Sequence, residues 1–123
     1  AAVKAFSTSR IAAICPHANG TPAQAAAEAT ALKAVFAEAA HKPSLHLLKP
    51  FTGHSFGVIG ALETAILAHS MREGLLPANL PNLTEPAKGF TVPASASKLA
   101  KDDVVLNLSV AMGGHNAVVA MTR

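Results

Sequence analysis

The chain has 123 residues, of which half are hydrophobic and only 14% charged, and ten basic against seven acidic side chains give a formal charge of +3. Such a length holds one domain at most, hiding roughly two thirds of its unfolded surface. The basic residues form no run and no Trp or Tyr is present to stack a base, so a nucleic-acid surface is excluded; a single cysteine, Cys15, excludes an internal disulfide.

In chain order, Ala1 to Ser7 is weakly helical, and Ile11 to Cys15 is a short apolar run that ends in a polar turn, Pro16 to Thr21, as a buried strand does. Thr21 and Pro22 supply a cap and a first-turn proline. Ala25, Ala29, Leu32, Val35, Phe36 and Ala39 then recur at helical spacing, which predicts a helix over Pro22 to Ala40. Ser44 to Leu48 reads as a second strand and delivers Lys49, Pro50 and a loop from Thr52 to Gly57. From Gly57 to Glu73 nearly every face is apolar, predicting a helix buried on several sides and ended by Gly74.

Leu75 to Pro93 carries four prolines, Pro77, Pro81, Pro86 and Pro93, and reads as an irregular, extended connection. Asp103 to Val110 and Ala117 to Met121 are apolar strands around a glycine turn, Met112 to Asn116. The order αβαβαββ argues for an α/β sheet with crossover helices, whose ligands gather at the carboxyl ends of the strands. Three loops at those ends hold His17, then Lys49 with His54, then Gly113-Gly114-His115-Asn116, and they are expected to converge.

Single residues have plainer readings. His17, His41, His46, His54, His69 and His115 show no metal-ligand spacing, so no metal site is expected, and His69 reads as a packed, hydrogen-bonded helix residue. Gly53, Gly57 and Gly60 lack the pattern of a phosphate loop, and close helix packing accounts for the last two. Cys15 ends an apolar strand just before Pro16, the setting of a buried and inert thiol.

The segments His17-Ala18-Asn19-Gly20-Thr21-Pro22, Lys49 to Gly57 (KPFTGHSFG), Gly60 to Glu63, Arg72 to Pro77 and Gly113 to Ala117 occur in family order. Together they resemble the C-terminal half of the β-ketoacyl-acyl-carrier-protein synthases, condensing enzymes of the thiolase-like superfamily. The resemblance runs along essentially all of residues 1–123 and implies a mixed β-sheet with packed helices, incomplete without an N-terminal half. That half bears the nucleophilic cysteine in the family, and Cys15 does not match it.

By the resemblance, His17 and His54 match the two histidines that stabilise the enolate formed when malonyl-carrier protein loses carbon dioxide. Preplaced imidazole donors in a dry site suit that charge. Lys49 and Glu63 match the family lysine and glutamate, and a buried lysine needs such a counter-charge. Asn19 and Thr21 stand where threonines bond the phosphopantetheine arm, and the Met112 amide beside Gly113 stands at the oxyanion hole. Departures are Val110, Ala111 and Met112 in place of phenylalanines and glycine, and Gln24 and Ala25 in place of an aspartate region, while Glu28 is kept.

The implied activity is decarboxylative Claisen condensation of malonyl-carrier protein with an acyl thioester, in fatty acid or polyketide biosynthesis. No cofactor is expected beyond the phosphopantetheine that carries the substrates. The expected partners are acyl carrier protein and an N-terminal ketosynthase half or subunit supplying the cysteine, as a homo- or hetero-dimer. The alternative is a non-catalytic chain-length-factor-like subunit, favoured by the departures near Met112 and opposed by the retained His17, Lys49, His54 and Glu63. A charged fraction well below the usual quarter suits a chain that covers its surface with a partner. Gly57 to Ser70 is too short and too interrupted to span a bilayer, no signal peptide is visible, and a start at Ala1 suggests a cut or processed chain. The default expectation is a cytoplasmic protein.

Overall fold

The computed structural model describes residues 10–83 and 89–123, so the first expected helix, Ala1 to Ser7, lies outside the described residues. Strand β1 (Ile11–Cys15) leads to helix α1 (Pro22–Val35), then β2 (Ser44–Leu45), a four-residue helix α2 (Lys49–Thr52), a 3-10 turn over Phe56–Val58 and helix α3 (Ile59–Glu73). Short strands β3 (Leu75–Leu76) and β4 (Ser97–Lys98) precede the hairpin of β5 (Val104–Ala111) and β6 (His115–Thr122).

The main sheet has the order β2-β1-β5-β6, with β1 parallel to β2 and β5, and β6 antiparallel to β5. It is therefore the mixed sheet that the sequence led us to expect. Its two faces carry two cores. A register shift between Ile11 and Ala13 lets Ile11 and Ile14 share one face, where they meet Leu32, Phe36, Phe90, Val104 and Leu106. Ala13, Cys15 and Val105 point the other way and meet Leu67 and Met71 of α3.

Helix α1 is shorter than its periodicity predicts. Thr21 has the extended cap conformation and Pro22 starts the helix, but Phe36 leaves helical geometry and packs edge-on against Phe90, ring centroids 5.8 Å apart. Residues Ala37 to Ala40 have good helix propensity, so burial of one aromatic overrides it. The expected strand Ser44 to Leu48 keeps only its first two residues; the His46 amide still donates to Ile14 O at 2.9 Å, but the Leu47 amide donates to the Asn79 side chain at 2.7 Å.

Helix α3 ends as expected, on left-handed Gly74 at φ 72°. It is not buried on several sides. Ile59, Glu63, Leu67, Ser70 and Met71 form one buried stripe, while Ala61, Leu62, Ala65 and Ala68 face outward. His69 is also exposed and accepts a hydrogen bond from Arg72 at 3.0 Å, so it is not packed. At the start of the stretch read as irregular, β3 pairs antiparallel with β4 beyond that stretch, a ladder of two residues each that no periodicity can reveal. The β5–β6 turn is tighter than expected, with Gly113 and Gly114 at φ 84° and 81° carrying it.

Candidate active site

β1, β2 and β5 are parallel, so their carboxyl ends lie together and the loops that follow them meet. An open cleft of about 890 Å³ forms there, lined by His17, Asn19, Thr21, His54, Met112 and His115 among others. The convergence expected of the three loops is present. Gly113 lies at the turn tip and does not line the cleft, whereas Gln24, Phe56, Ile59 and Ser109 do, the last two without any motif that singled them out.

His17 and His54 face each other edge to face, with ring centroids 5.3 Å apart. His17 is buried, and its loop is gripped from α1: both carboxylate oxygens of Glu28 accept backbone amides, from His17 at 2.6 Å and Ala18 at 2.9 Å. Burial pushes the His17 imidazolium below its ordinary range, helped by the Lys49 and His54 charges, so the ring is neutral at pH 7. Its Nδ1 is buried without a partner among the described residues.

His54 is exposed on the opposite wall. Its Nδ1 accepts the Phe56 amide at 3.2 Å, which leaves the proton of the neutral ring on Nε2, and Phe56 stacks on the ring with centroids 5.2 Å apart. Phe56 adopts a left-handed φ of 50° to do so and is itself 81% exposed. A buried imidazole whose loop is held by Glu28 and an exposed one stacked on an aromatic ring thus share the cleft.

Beneath them Lys49 Nζ donates to Glu63 Oε1 at 2.7 Å, both side chains almost wholly buried. Burial pushes the Glu63 carboxyl up, against the opposing pull of the Lys49 ammonium. Glu63 Oε2 has no partner in the described residues. The pair lies outside the cleft lining and joins α2 to α3, and the Lys49 charge reaches His17.

Asn19 Oδ1 accepts both the Thr21 amide at 3.0 Å and the Thr21 hydroxyl at 2.9 Å. The Asn19 side-chain NH2 and the lone pairs of the Thr21 hydroxyl make no other hydrogen bond among the described residues. Met112 is 94% exposed at the hairpin tip. Cys15 is fully buried and burial raises its thiol to about 12, so it is the inert thiol that its position before Pro16 suggested. Among the described residues no group of three or more His, Cys, Asp or Glu could hold a metal ion.

The family model described as Beta-ketoacyl synthase, C-terminal domain, matches residues 2–82. A 3-oxoacyl-[acyl-carrier-protein] synthase 2 of Coxiella burnetii is 35% identical over 117 residues, 93% of this chain and 28% of that protein. The solved ishigamide ketosynthase/chain length factor superposes with a TM-score of 0.79 at 27% identity, covering 96% of this chain and 29% of that one. A type II PKS acyl-carrier protein in complex with its ketosynthase bound to the hexaketide gives a TM-score of 0.82 at 24% identity, over 98% of this chain and 30% of its match, and shows the fold.

The chain therefore belongs to the β-ketoacyl synthase family, matching its C-terminal domain. It spans 28% of the length of the Coxiella relative and has the thiolase-like fold of the ketosynthases.

Proposed function

We propose that residues 1–123 form the C-terminal domain of a β-ketoacyl-acyl-carrier-protein synthase that becomes active when an N-terminal half supplies the nucleophilic cysteine. The observation that carries this reading is the 5.3 Å pairing of His17 with His54 across the cleft, with the Lys49–Glu63 ion pair buried outside its lining. The two imidazoles donate to the thioester oxygen of a malonyl group. As its C–C bond to the carboxylate breaks, carbon dioxide leaves and the electron pair becomes the enolate that they stabilise. The enolate carbon then forms its bond to the acyl carbonyl carbon, and the cysteine thiolate departs.

Asn19 and Thr21 receive the phosphopantetheine arm, and the backbone at Met112 completes the oxyanion hole. Acyl carrier protein is the substrate-bearing partner, a reading supported by the ketosynthase complex with its carrier protein. The assembly is a dimer in the cytoplasm; no described helix is long and apolar enough to cross a membrane.

A second reading, a chain-length-factor-like subunit that shapes a complete synthase, is favoured by the 27% likeness to a ketosynthase/chain length factor and by Met112 standing exposed at the hairpin tip. Retention of His17, Lys49, His54 and Glu63 favours the catalytic reading. The deciding experiment recombines the chain with a cysteine-bearing N-terminal half and assays malonyl-carrier-protein decarboxylation and condensation. His17→Ala and His54→Ala should each lower turnover at least about a hundredfold, the loss expected of an oxyanion donor. Turnover unchanged by both substitutions sinks the catalytic reading and leaves the subunit one.

A further inference from the structure

The outer edge of β2 is closed by two buried polar side chains, and the run they hold leads directly into Lys49. Asn79 is 5% exposed; its Oδ1 accepts the Leu47 amide at 2.7 Å and its Nδ2 donates to the Leu45 carbonyl at 2.9 Å. Those are the donor and acceptor that a neighbouring strand would have satisfied. The Asn79 backbone is anchored in turn, its amide donating to Pro93 O at 2.9 Å.

His46, 1% exposed, is bonded at both ring nitrogens, with Nδ1 2.8 Å from Pro77 O and Nε2 3.1 Å from Ser44 Oγ. A carbonyl oxygen only accepts, so Nδ1 carries a proton. The His46 amide meanwhile donates to Ile14 O of β1 at 2.9 Å. Residue 46 is thus pinned between β1 on one side and the Pro77–Asn79 segment on the other. Three residues later the chain reaches Lys49, whose carbonyl closes α2 through Gly53 N at 2.8 Å and whose ammonium meets Glu63.

We propose that His46 and Asn79 are positioning residues that clasp the Pro77–Asn79 segment onto β2 and thereby set where Lys49 meets Glu63. The clasp deepens the proposed function, because that ion pair belongs to its site, but the test reads the pair and not the reaction. It can fail while the condensing role stands, and the reverse.

The test is heteronuclear NMR on this chain. The His46 ring should show the Nδ1–H tautomer; a ring protonated only at Nε2 overturns the geometry. The carboxyl of Glu63 is then titrated in three variants. His46→Asn keeps a donor where Nδ1 stands and should leave the Glu63 midpoint where it is. His46→Gln places its amide toward Nε2, and His46→Leu keeps only apolar volume; each should move that midpoint by about half a pH unit or more, since the pair's geometry changes. A purely structural role would lower the melting temperature of Gln and Leu variants while their Glu63 titration stayed unchanged, and that result refutes the clasp. Should His46→Leu fail to fold, the Asn and Gln variants decide alone, and identical Glu63 midpoints in the two overturn the proposal.

Discussion

Ala18 stands at φ 38°, in the left-handed region where a Cβ crowds the following carbonyl, and it does so because Glu28 holds its amide and that of His17. Removing the Cβ relieves the crowding but frees the unfolded chain, so Ala18→Gly is expected to stabilise the fold by no more than about 1 kcal/mol, seen as a small rise in thermal midpoint. Glu28→Ala strips two charged acceptors from a partly buried loop and should cost about 2 kcal/mol in chemical denaturation while His17 loses its fixed place. The buried histidines also set the pH response. Burial lowers the folded-state values of His17 and His46, so between those values and the ordinary one near 6.5 the unfolded chain binds more protons. Their contribution is present above about pH 6.5 and is lost as pH falls below it, so the melting temperature should drop between about pH 7.5 and about pH 5.5.

At the scale of elements, the Lys49–Glu63 pair joins α2 to α3, and its worth is asymmetric. Lys49→Met leaves a carboxyl buried with no counter-charge and Glu63→Leu leaves an ammonium so, each expected to cost about 3–5 kcal/mol; the double variant should lose far less than the sum. A double-mutant cycle by urea denaturation measures the coupling, and additive losses would show the pair to be solvated. The same element scale explains the helix boundaries. Gly74 stops α3 by its own conformational freedom, which is written in the sequence, whereas α1 stops because Phe36 is needed against Phe90, a residue far along the chain.

Across the whole molecule, several large apolar side chains stand exposed, Phe56 at 81% and Met112 at 94% on the cleft, Phe51 at 54% and Val58 at 63% outside its lining. Among the described residues strand β6 is an open edge, and most of it is exposed. Isolated soluble domains rarely leave so much uncovered, and a long edge without charge invites pairing. The chain alone should therefore self-associate in sedimentation velocity, and Phe56→Ser with Met112→Ser should shift it toward monomer. Addition of a cysteine-bearing N-terminal half should do the same by covering that surface; a monodisperse monomer at high concentration would contradict this account.

Local patterns by themselves determined β1, the start of α1, the end of α3 and the β5–β6 hairpin, because each rests on a run of neighbours or on a turn residue with one conformational solution. The order of motifs was likewise enough to bring His17, His54, Lys49 and Glu63 forward together. Tertiary structure alone decided where α1 ends, that β2 has two residues, and that β3 finds β4, since those depend on partners 21 to 54 residues away in the manner of Phe36 with Phe90 and Asn79 with Leu45. It also decided that His46 is a buried clasp while His69 lies on the surface. Both are histidines in apolar surroundings by sequence, and only the packing of distant segments determines which of them loses its water.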